Sequence, residues 1–346
     1  MGLLFSRSEV RAPAEAAPVV VRALREDELD DWARFCAACF AAKSPPPPPS
    51  HFKGHFEMDP TRDASAIRVA VDASSGEYLA TLRIFSRRAT VRGGASVEVG
   101  GIGEVCTAPH ARRRGLARRL LSDAISIMRE RRMDYSLLHA ANAVAPVYAK
   151  LGWRSVPMTW VCVPASAIPK CDDTAEAAPL NISAPGIRER LSFIHRAAER
   201  SALGTFVRSD EYWSAWIVAT VTGEQYRLWG WTPAGATEIE AFAALRVYPD
   251  GNAKLADFAV RSVSDTARAL STMLAKAIAQ ENAAVTTVKC PSLCITSEFR
   301  QGLVGPTRDE DDGPPGGWMV LPLEEASKAP TPRDAAHHLV WPIDGF

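Results

Sequence analysis

Three consecutive arginines stand directly before a glycine in the stretch "EVCTAPHARRRGLARRLL", residues 104–121. Adjacent like charges repel and glycine is a poor helix former. Without a bound anion, a helix would therefore start unfavourably at Arg112, Arg113, Arg114 and Gly115. The first N–H groups of a helix lack internal partners, and a glycine lets a ligand approach the backbone closely. Helix N-termini therefore hold phosphate groups, and arginines add charge. The turn predicts a pyrophosphate site; the alternative is a solvated basic turn.

The spacing of apolar residues predicts the elements around this turn. Runs at residues 66–73, 78–92 and 95–107 are typical of strands, and the intervening "SSGE" and "RGG" predict an antiparallel meander. A helix follows the turn, with one apolar face formed by Leu116, Leu120, Leu121, Ile125 and Met128. The first half then has the order strand, helix, three strands, helix, strand, helix, strand. The prolines within residues 44–50 predict the end of the first helix and a stiff connecting loop.

With these elements in place, the chain resembles the GNAT superfamily of acetyl-CoA-dependent N-acetyltransferases. The family signature (Q or R, two residues, G, one residue, G or A) falls on Arg112, Gly115 and Ala117. The strand "GEVCTAP" and the later "NAVAPVYAKLGW" also have the family's order and spacing, and the resemblance covers residues 18–163. It implies an α/β (α+β) fold with a mixed central sheet, acetyl-CoA as co-substrate, and no metal.

The resemblance implies a role for each matching position. The backbone of Val105, Cys106 and Thr107 is expected to pair with the pantetheine arm of CoA, because the family's strand diverges from its neighbour there. The pyrophosphate is expected on the turn and the first helical residues, Arg112, Arg113, Arg114, Gly115, Leu116, Ala117 and Arg118. Asn142 falls where the family contacts the arm from the opposite side. It could equally be the N-cap of the helix that contains Tyr148.

Tyr148 occupies the family's position for the general acid. Attack of an amine on a thioester expels a thiolate, which benefits from a proton that a nearby tyrosine hydroxyl can donate. The sequence does not identify the general base that deprotonates the amine. Glu104 lies on the strand that leads to the turn, where some relatives carry the base, and ordered waters serve in others. Because strand side chains alternate, Glu104 and Cys106 are expected on one face, and the sequence does not say which face meets the substrate.

The second half repeats the order of strands, helix and strand, without an equivalent of the arginine turn. We therefore expect a flexible N-terminal arm over residues 1–17 and the GNAT domain over residues 18–165. A linker over residues 166–186 leads to a degenerate GNAT-like domain over residues 187–346, with its own CoA loop missing and its C-terminal tail docked.

Two narrower resemblances concern the acceptor. "RSDEYWSAWI", "GGWMVLPL" and "HHLVWPIDGF" look like the C-terminal part of fungal lysine N6-acetyltransferases, which act on the free amino acid. "RRRGL", the tyrosine before a glycine and the second domain are similar to the enhanced-intracellular-survival acetyltransferases. The terminal carboxylate enters the active site in that group, which implies the same role for the carboxylate of Phe346. The alternative is a tail packed only for stability.

The composition excludes some partners and leaves others open. Forty acidic and forty basic residues give no net charge, so the overall field does not favour nucleic acid, and seven scattered cysteines are typical of a reducing compartment. We expect no transmembrane segment and a cytoplasmic protein. The start "MGLLFS" fits the myristoylation pattern at Gly2, and one acyl chain would give only weak membrane contact. Cys36 and Cys39 are expected to be buried thiols rather than a metal pair.

The sequence thus predicts transfer of an acetyl group to a primary amine of a small molecule, with free lysine as the first candidate. The alternatives are a protein or peptide N-acetyltransferase, an aminoglycoside-type enzyme, and a non-catalytic acyl-CoA sensor. His139 lies on an apolar strand and is expected to be a core histidine. The acidic run at residues 309–312 is expected to be a solvated loop.

Overall fold

A computed structural model describes residues 18–43, 45–91, 93–156, 158–169, 176–198, 204–223, 226–280, 285–311, 317–331, 333 and 339–345. The expectations for the arm over residues 1–17, including Gly2, and for Phe346 lie outside the described residues. Within the described part of the chain, the strands form two seven-stranded sheets of mixed orientation, with helices packed on both. The architecture is α/β with a mixed sheet in each half, as predicted.

The first sheet has the order β1-β2-β3-β4-β5-β14-β6. Its strands are β1 (Val19–Ala23), β2 (Ile67–Asp72), β3 (Tyr78–Thr90), β4 (Ser96–Thr107), β5 (Tyr135–Ala140), β6 (Arg154–Ser155) and β14 (Gly317–Pro322). The predicted antiparallel meander of β2, β3 and β4 is present, and β4 then runs parallel to β5.

The second sheet has the order β13-β7-β12-β11-β10-β9-β8. Its strands are β7 (Thr159–Pro164), β8 (Glu176–Pro179), β9 (Tyr226–Thr232), β10 (Ala241–Val247), β11 (Asn252–Val260), β12 (Thr287–Pro291) and β13 (Arg308–Asp311). Strands β9, β10 and β11 form a meander, and β11 runs parallel to β12. The strand orientations therefore repeat those of the first sheet.

The α-helices connect these strands. They are α1 (Leu29–Cys39), α2 (Pro49–Glu57), α3 (Leu116–Glu130), α4 (Ala145–Ala149), α5 (Ile187–Ala198), α6 (Asp210–Tyr212), α7 (Val218–Gly223), α8 (Thr266–Gln280) and α9 (Ser297–Gly302). A π-helical turn, Trp213–Ile217, joins α6 to α7. None of the helices among the described residues combines the length and apolar character needed to cross a membrane.

The two halves exchange a strand. β14 comes from the end of the chain but lies between β5 and β6 in the first sheet. β7 precedes the second half but lies between β12 and β13 in the second sheet. The division between the sheets therefore does not coincide with the expected boundary at residue 165, and the expected linker over residues 166–186 contains the edge strand β8.

The proline-rich segment differs from the expectation of a stiff connecting loop. Its last proline, Pro49, is the first residue of α2, which continues to Glu57. Proline is well tolerated at this position because its missing N–H would have no helical partner and its φ angle suits a helix. The prediction was therefore wrong beyond residue 48, and the additional helix packs against α1.

The helix after the arginine turn packs tightly on the strand that precedes it. Leu120, Leu121 and Met128 of α3 are fully buried in the core of the first half. A Cβ atom at Gly100 of β4 would collide with the Met128 sulfur, so glycine allows α3 to lie close to this strand. This packing fixes α3 relative to the end of β4.

Candidate functional site

Strands β4 and β5 part after a short ladder. The parallel pairing joins Val99–Gly101 to Tyr135–Leu137, whereas β4 continues to Thr107 and β5 to Ala140. On its other side β4 stays paired with β3 up to Thr107. The N–H and C=O groups of β4 that face the gap, in the segment with Val105, Cys106 and Thr107, are therefore placed to pair with an extended ligand.

The arginine turn lies between this strand and α3. Arg113 has a φ of 63° and Gly115, the N-cap of α3, a φ of 77°, both in the left-handed region. That conformation costs a non-glycine residue about 1–2 kcal/mol, and such strain is concentrated at functional sites. Apart from its two chain neighbours, no atom of the described residues lies within 4 Å of a Cβ built on Gly115, so its conformation, rather than crowding, requires glycine.

The side chains of the turn face solvent, as an anion site requires. Arg112, Arg113, Arg114 and Arg118 are exposed, while Leu116 is buried in the core and can offer only its backbone N–H. The positive end of the α3 dipole points into the same turn. Ala117, the last residue of the signature, is half-buried at the start of the helix.

Tyr148 is half-buried on α4, with its ring edge-on to Trp153 at 6.1 Å between centroids. Burial raises the pKa of Tyr148, which keeps the hydroxyl protonated and able to donate. Asn142 is exposed ahead of the helix, and the N-cap of α4 is Val144. The alternative that Asn142 caps this helix was therefore wrong.

Glu104 has a buried, fixed position on β4. Its φ of 54° accompanies a bulge in the β3–β4 ladder, between the pairs Thr81↔Cys106 and Arg83↔Gly103. The carboxylate Oε1 lies 3.0 Å from Nδ1 of His55 on α2, and the two side chains are 6% and 14% exposed. The second oxygen, Oε2, is buried without a hydrogen-bond partner among the described residues. A buried carboxylate oxygen that lacks a partner is uncommon and requires an explanation, of which a catalytic role is one.

The faces of β4 are now defined. Cys106 packs with the cluster under α1, and Glu104 meets α2, so both lie on the face that α1 and α2 cover. Val105 packs with the cluster that includes Leu120 of α3, on the opposite face. The predicted sharing of a face by Glu104 and Cys106 is thus confirmed, despite the bulge.

Two buried arginines form a hydrogen-bond network next to Glu104. Arg83 and Arg87 donate to Asp59 at 2.8 and 3.0 Å, and Nη1 of Arg83 lies 3.9 Å from Oε1 of Glu104. Burial alone would raise the pKa of Asp59, but Arg87 and Arg83 together lower it below its usual range. Arg83 also donates to the backbone carbonyl of His55 at 3.2 Å. The network fixes both partners of the His55–Glu104 pair.

Comparison with protein families matches the Acetyltransferase (GNAT) domain to residues 20–156. This range contains the parted strands, the arginine turn and Tyr148. Residues 20–156 are a GNAT acetyltransferase domain. The GNAT fold uses acetyl-CoA as its acyl donor.

Relatives and solved structures agree with this assignment. An uncharacterized N-acetyltransferase of Streptomyces griseus is 29% identical over 143 residues, which cover 41% of this chain but only 32% of that protein. The chain thus spans about a third of the length of the curated relative it matches. A GCN5-related N-acetyltransferase from Anabaena variabilis superposes with a TM-score of 0.66 at 15% identity, covering 89% of this chain and 73% of the other. Eis1 from Mycobacterium abscessus superposes with a TM-score of 0.60 at 14% identity, covering 89% and 74%. At these identities the superpositions establish the fold alone.

A cavity of about 400 Å³ lies between the GNAT domain and the second half. The GNAT domain contributes His51 and His55 from α2 and His139 from β5, and the second half contributes Trp216. Contrary to the expectation of a core histidine, His139 is exposed to this cavity, with its ring edge-on to Trp318 at 5.2 Å. His51 and His55 were missed by the sequence analysis, although their separation of four residues places them on one face of a helix.

The C-terminal tail is anchored beside this cavity. Arg208 donates to both oxygens of Asp344 at 2.9 and 2.7 Å and to Asp257 at 2.7 Å, and all three side chains are buried. Trp216 donates through Nε1 to the carbonyl of Ile343 at 3.1 Å. These contacts place Gly345, the last described residue, in the cavity wall.

Metal and thiol expectations can be compared with the described residues. No group of three or more side chains with metal-ligating atoms occurs among them. Cys36 is buried on α1, whereas Cys39 is half-buried. Burial raises the pKa of the Cys36 thiol.

Proposed function

We propose that the protein transfers the acetyl group of acetyl-CoA to a primary amine of a small molecule, with the side-chain amine of free lysine as the first candidate. The observation that carries this proposal is the cavity between the GNAT domain and the second half. Its volume of about 400 Å³ is in the range of small-molecule sites, and His55, which pairs with Glu104 of β4, lies in its wall. A site for a protein tail is more often an open groove.

The donor is proposed to bind along the parted end of β4. The backbone of Val105, Cys106 and Thr107 would pair with the pantetheine arm, and Asn142 would contact it from the opposite side. The pyrophosphate would accept hydrogen bonds from backbone N–H groups of the turn and the start of α3, in the stretch Arg112, Arg113, Arg114, Gly115, Leu116, Ala117 and Arg118. The left-handed residues of the turn and the exposed arginines support this placement.

Tyr148 is proposed as the general acid. The amine nitrogen attacks the thioester carbonyl, the carbon–sulfur bond breaks, and the leaving thiolate takes the proton of the Tyr148 hydroxyl. The raised pKa of Tyr148 supports this role because the hydroxyl stays protonated at physiological pH.

The proton of the substrate ammonium is proposed to leave through the His55–Glu104 pair. His55 lines the cavity and can accept the proton on Nε2 while its Nδ1–H donates to Glu104, 3.0 Å away. Two other routes remain predictions, ordered water and the carboxylate of Phe346. Deleting Phe346 moves the terminal carboxylate to Gly345 in the cavity wall, so undiminished turnover would show that a carboxylate at the position of Phe346 is not required.

The first experiment measures thiol release from acetyl-CoA with free lysine, an aminoglycoside and a short peptide, using the full chain and Tyr148→Phe. A lysine-dependent signal that Tyr148→Phe abolishes would support the proposal. A signal with the aminoglycoside or the peptide alone would favour the corresponding alternative. Clear CoA binding without thiol release for any amine would favour a non-catalytic acyl-CoA sensor.

A further inference from the structure

Strands β11 and β12 of the second half part in the same way as β4 and β5 of the first. Each parallel ladder consists of three residue pairs, and on the longer strand the last paired residue is Gly101 in β4 and Lys254 in β11. Beyond it, β4 continues to Thr107 and β11 to Val260, six residues in both cases, and each stays paired with the preceding strand on its other side. The second sheet therefore has a gap that corresponds to the donor cleft, the gap beside the end of β4.

The correspondence between the two strands extends to single residues. Counted from the last ladder pair, the final three residues of β11 occupy the positions of the three residues of β4 that are proposed to pair with pantetheine. They are Phe258, Ala259 and Val260. The residue before them, Asp257, is an acid with a buried side chain, like Glu104, and both antiparallel ladders have a bulge nearby. The N–H and C=O groups of β11 that face the gap are thus placed to pair with an extended ligand.

A cavity of about 380 Å³ lies along this part of β11, and we call it the β11 cavity. Its volume is in the range of small-molecule sites. Besides the end of β11, its wall includes Leu293 and Cys294, which follow β12, and Leu339 and Trp341 of the C-terminal tail. None of the described residues in this wall also lines the cavity of about 400 Å³ that is proposed for the acceptor. The β11 cavity is therefore a separate site.

The two basic side chains in the wall of the β11 cavity already have partners. Arg261 pairs with Glu240 at 3.0 Å. Nε2 of His195 lies 3.3 Å from the carbonyl oxygen of Phe206, and burial lowers the pKa of His195 well below its usual value, so the ring is uncharged at neutral pH. The other described residues of the wall are apolar ones, three threonines and Cys294. Because an ion would lose its hydration there without a counter-charge, this wall suits an uncharged ligand.

The start of α8 lacks the features of the arginine turn. The connection from β11 to α8 has five residues, 261–265, whereas the connection from β4 to α3 has eight, 108–115. None of residues 261–265, all within the described part of the chain, has a positive φ, whereas Arg113 and Gly115 do. Asp265 stands at the start of α8, where its carboxylate repels a phosphate. The β11 cavity therefore offers no site for a pyrophosphate.

We infer that the β11 cavity is a second ligand site, which binds an uncharged chain of amide and methylene groups along the edge of β11. The amides of the chain exchange hydrogen bonds with the gap-facing backbone groups of β11, and its methylene groups lie against Leu293 and Trp341. Pantetheine without its phosphates has this chemistry. The inference is independent of the proposed function, because binding requires no acetyl transfer.

Calorimetric titration of pantetheine onto the full chain tests this inference. CoA at saturating concentration occupies the donor cleft, and without an amine no transfer takes place. We expect pantetheine to bind the CoA-saturated protein at a single site. 4′-Phosphopantetheine should bind no more tightly, because the cavity provides no cation for the phosphate. 1-Octanol, an apolar chain without amides, should bind about 10-fold more weakly or worse, since it cannot replace the amide hydrogen bonds.

Two variants locate the bound pantetheine. Val263 lines the β11 cavity and is 77% exposed, so Val263→Trp places a large side chain at the entrance. The matched control is Val304→Trp, because Val304 is 79% exposed and lies in the wall of neither cavity. Val263→Trp should raise Kd for pantetheine by about 10-fold or more, whereas Val304→Trp should leave it unchanged. Both should keep the CoA affinity and the melting temperature of the unaltered protein.

The results that would overturn the inference are distinct from a failure of the proposed function. No binding of pantetheine to the CoA-saturated protein at millimolar concentration, or binding that Val263→Trp leaves unchanged, would refute the second site. Tighter binding of 4′-phosphopantetheine would refute an uncharged ligand, and equally tight binding of 1-octanol would refute the role of the amides. If CoA itself did not bind, the same titration without CoA, on Gly115→Glu, would still test the β11 cavity.

Discussion

The sharpest test of the proposed proton route is Glu104→Gln. The substitution keeps the size of the side chain and an oxygen that can accept from His55 Nδ1, but it removes the negative charge that stabilises a protonated His55. General base catalysis contributes typically about 10²- to 10⁴-fold to a rate. We expect kcat/KM to fall within that range, which corresponds to about 2.7–5.5 kcal/mol of lost transition-state stabilisation.

The fold should tolerate this change. Arg83 is 3.9 Å from Glu104 but donates to Asp59 at 2.8 Å, so it keeps a counter-charge in the variant. Glutamine experiences the same left-handed strain as glutamate at position 104. We therefore expect a loss of unfolding free energy of only about 1 kcal/mol, the usual scale of one hydrogen bond. The effect on rate should far exceed the effect on stability.

The assay is kcat/KM for the amine as a function of pH, with CoA affinity as a check on folding. The matched control is Glu98→Gln, the same substitution on the same strand, at an exposed side chain whose ion pair among the described residues is with the surface residue Arg88. In Glu104→Gln kcat/KM should be lower at every pH tested, and in Glu98→Gln it should not change. A Glu104→Gln protein that stays within about threefold of the unaltered rate at every pH would refute the route through His55 and Glu104.

Four further variants test the donor side and the anchored tail. Tyr148→Phe should lower kcat by about 10²-fold or more without changing CoA affinity. Because burial raises the pKa of Tyr148, the unaltered protein should show no loss of kcat from ionisation of this hydroxyl below about pH 10. Gly115→Glu should abolish CoA binding measured by calorimetry, because a charged side chain would face the pyrophosphate. Arg208→Met should lower the free energy of urea unfolding by about 3–5 kcal/mol, because Asp257 and Asp344 would stay buried without their cation. Burial raises the pKa of Asp257 to about 6, above its value in the unfolded chain. Between about pH 4 and 6 the native state therefore binds more protons than the unfolded state, and the free energy of unfolding should fall as the pH rises. Asp257→Asn should remove this dependence on pH.

Local signals explain what the sequence could predict. The alternating pattern of β2 to β4 and the apolar face of α3 are properties of short segments, and both elements occur as expected. The arginine turn was also recognisable, because left-handed conformations and helix starts depend on a few adjacent residues. Features that depend on distant residues were not predictable from such patterns.

The features that were not predicted, the surroundings of His139 and helix α2, lacked a clear signal in the neighbouring sequence. β14 reaches β5 from about 180 residues away along the chain, so nothing near His139 indicated that Trp318 would pack beside it at the edge of a cavity. The run of prolines concealed α2, because its helical signal starts only at the last proline. The spacing of four residues, between His51 and His55 and between Phe52 and Phe56, was a local signal that could have revealed this helix.

The strand exchange explains what the second half contributes, although it has no CoA loop of its own. Because β14 and β7 each lie in the sheet of the other half, the walls of the cavity come from both halves and neither sheet is complete alone. On the proposed function, the GNAT domain supplies the reacting groups around His55 and Tyr148, while the second half supplies Trp216 to the wall of the acceptor cavity. Substitution of Trp216 should therefore change which amine is used without changing the affinity for CoA. A second half retained only for stability would show no such separation, since its variants would alter unfolding and donor binding alike.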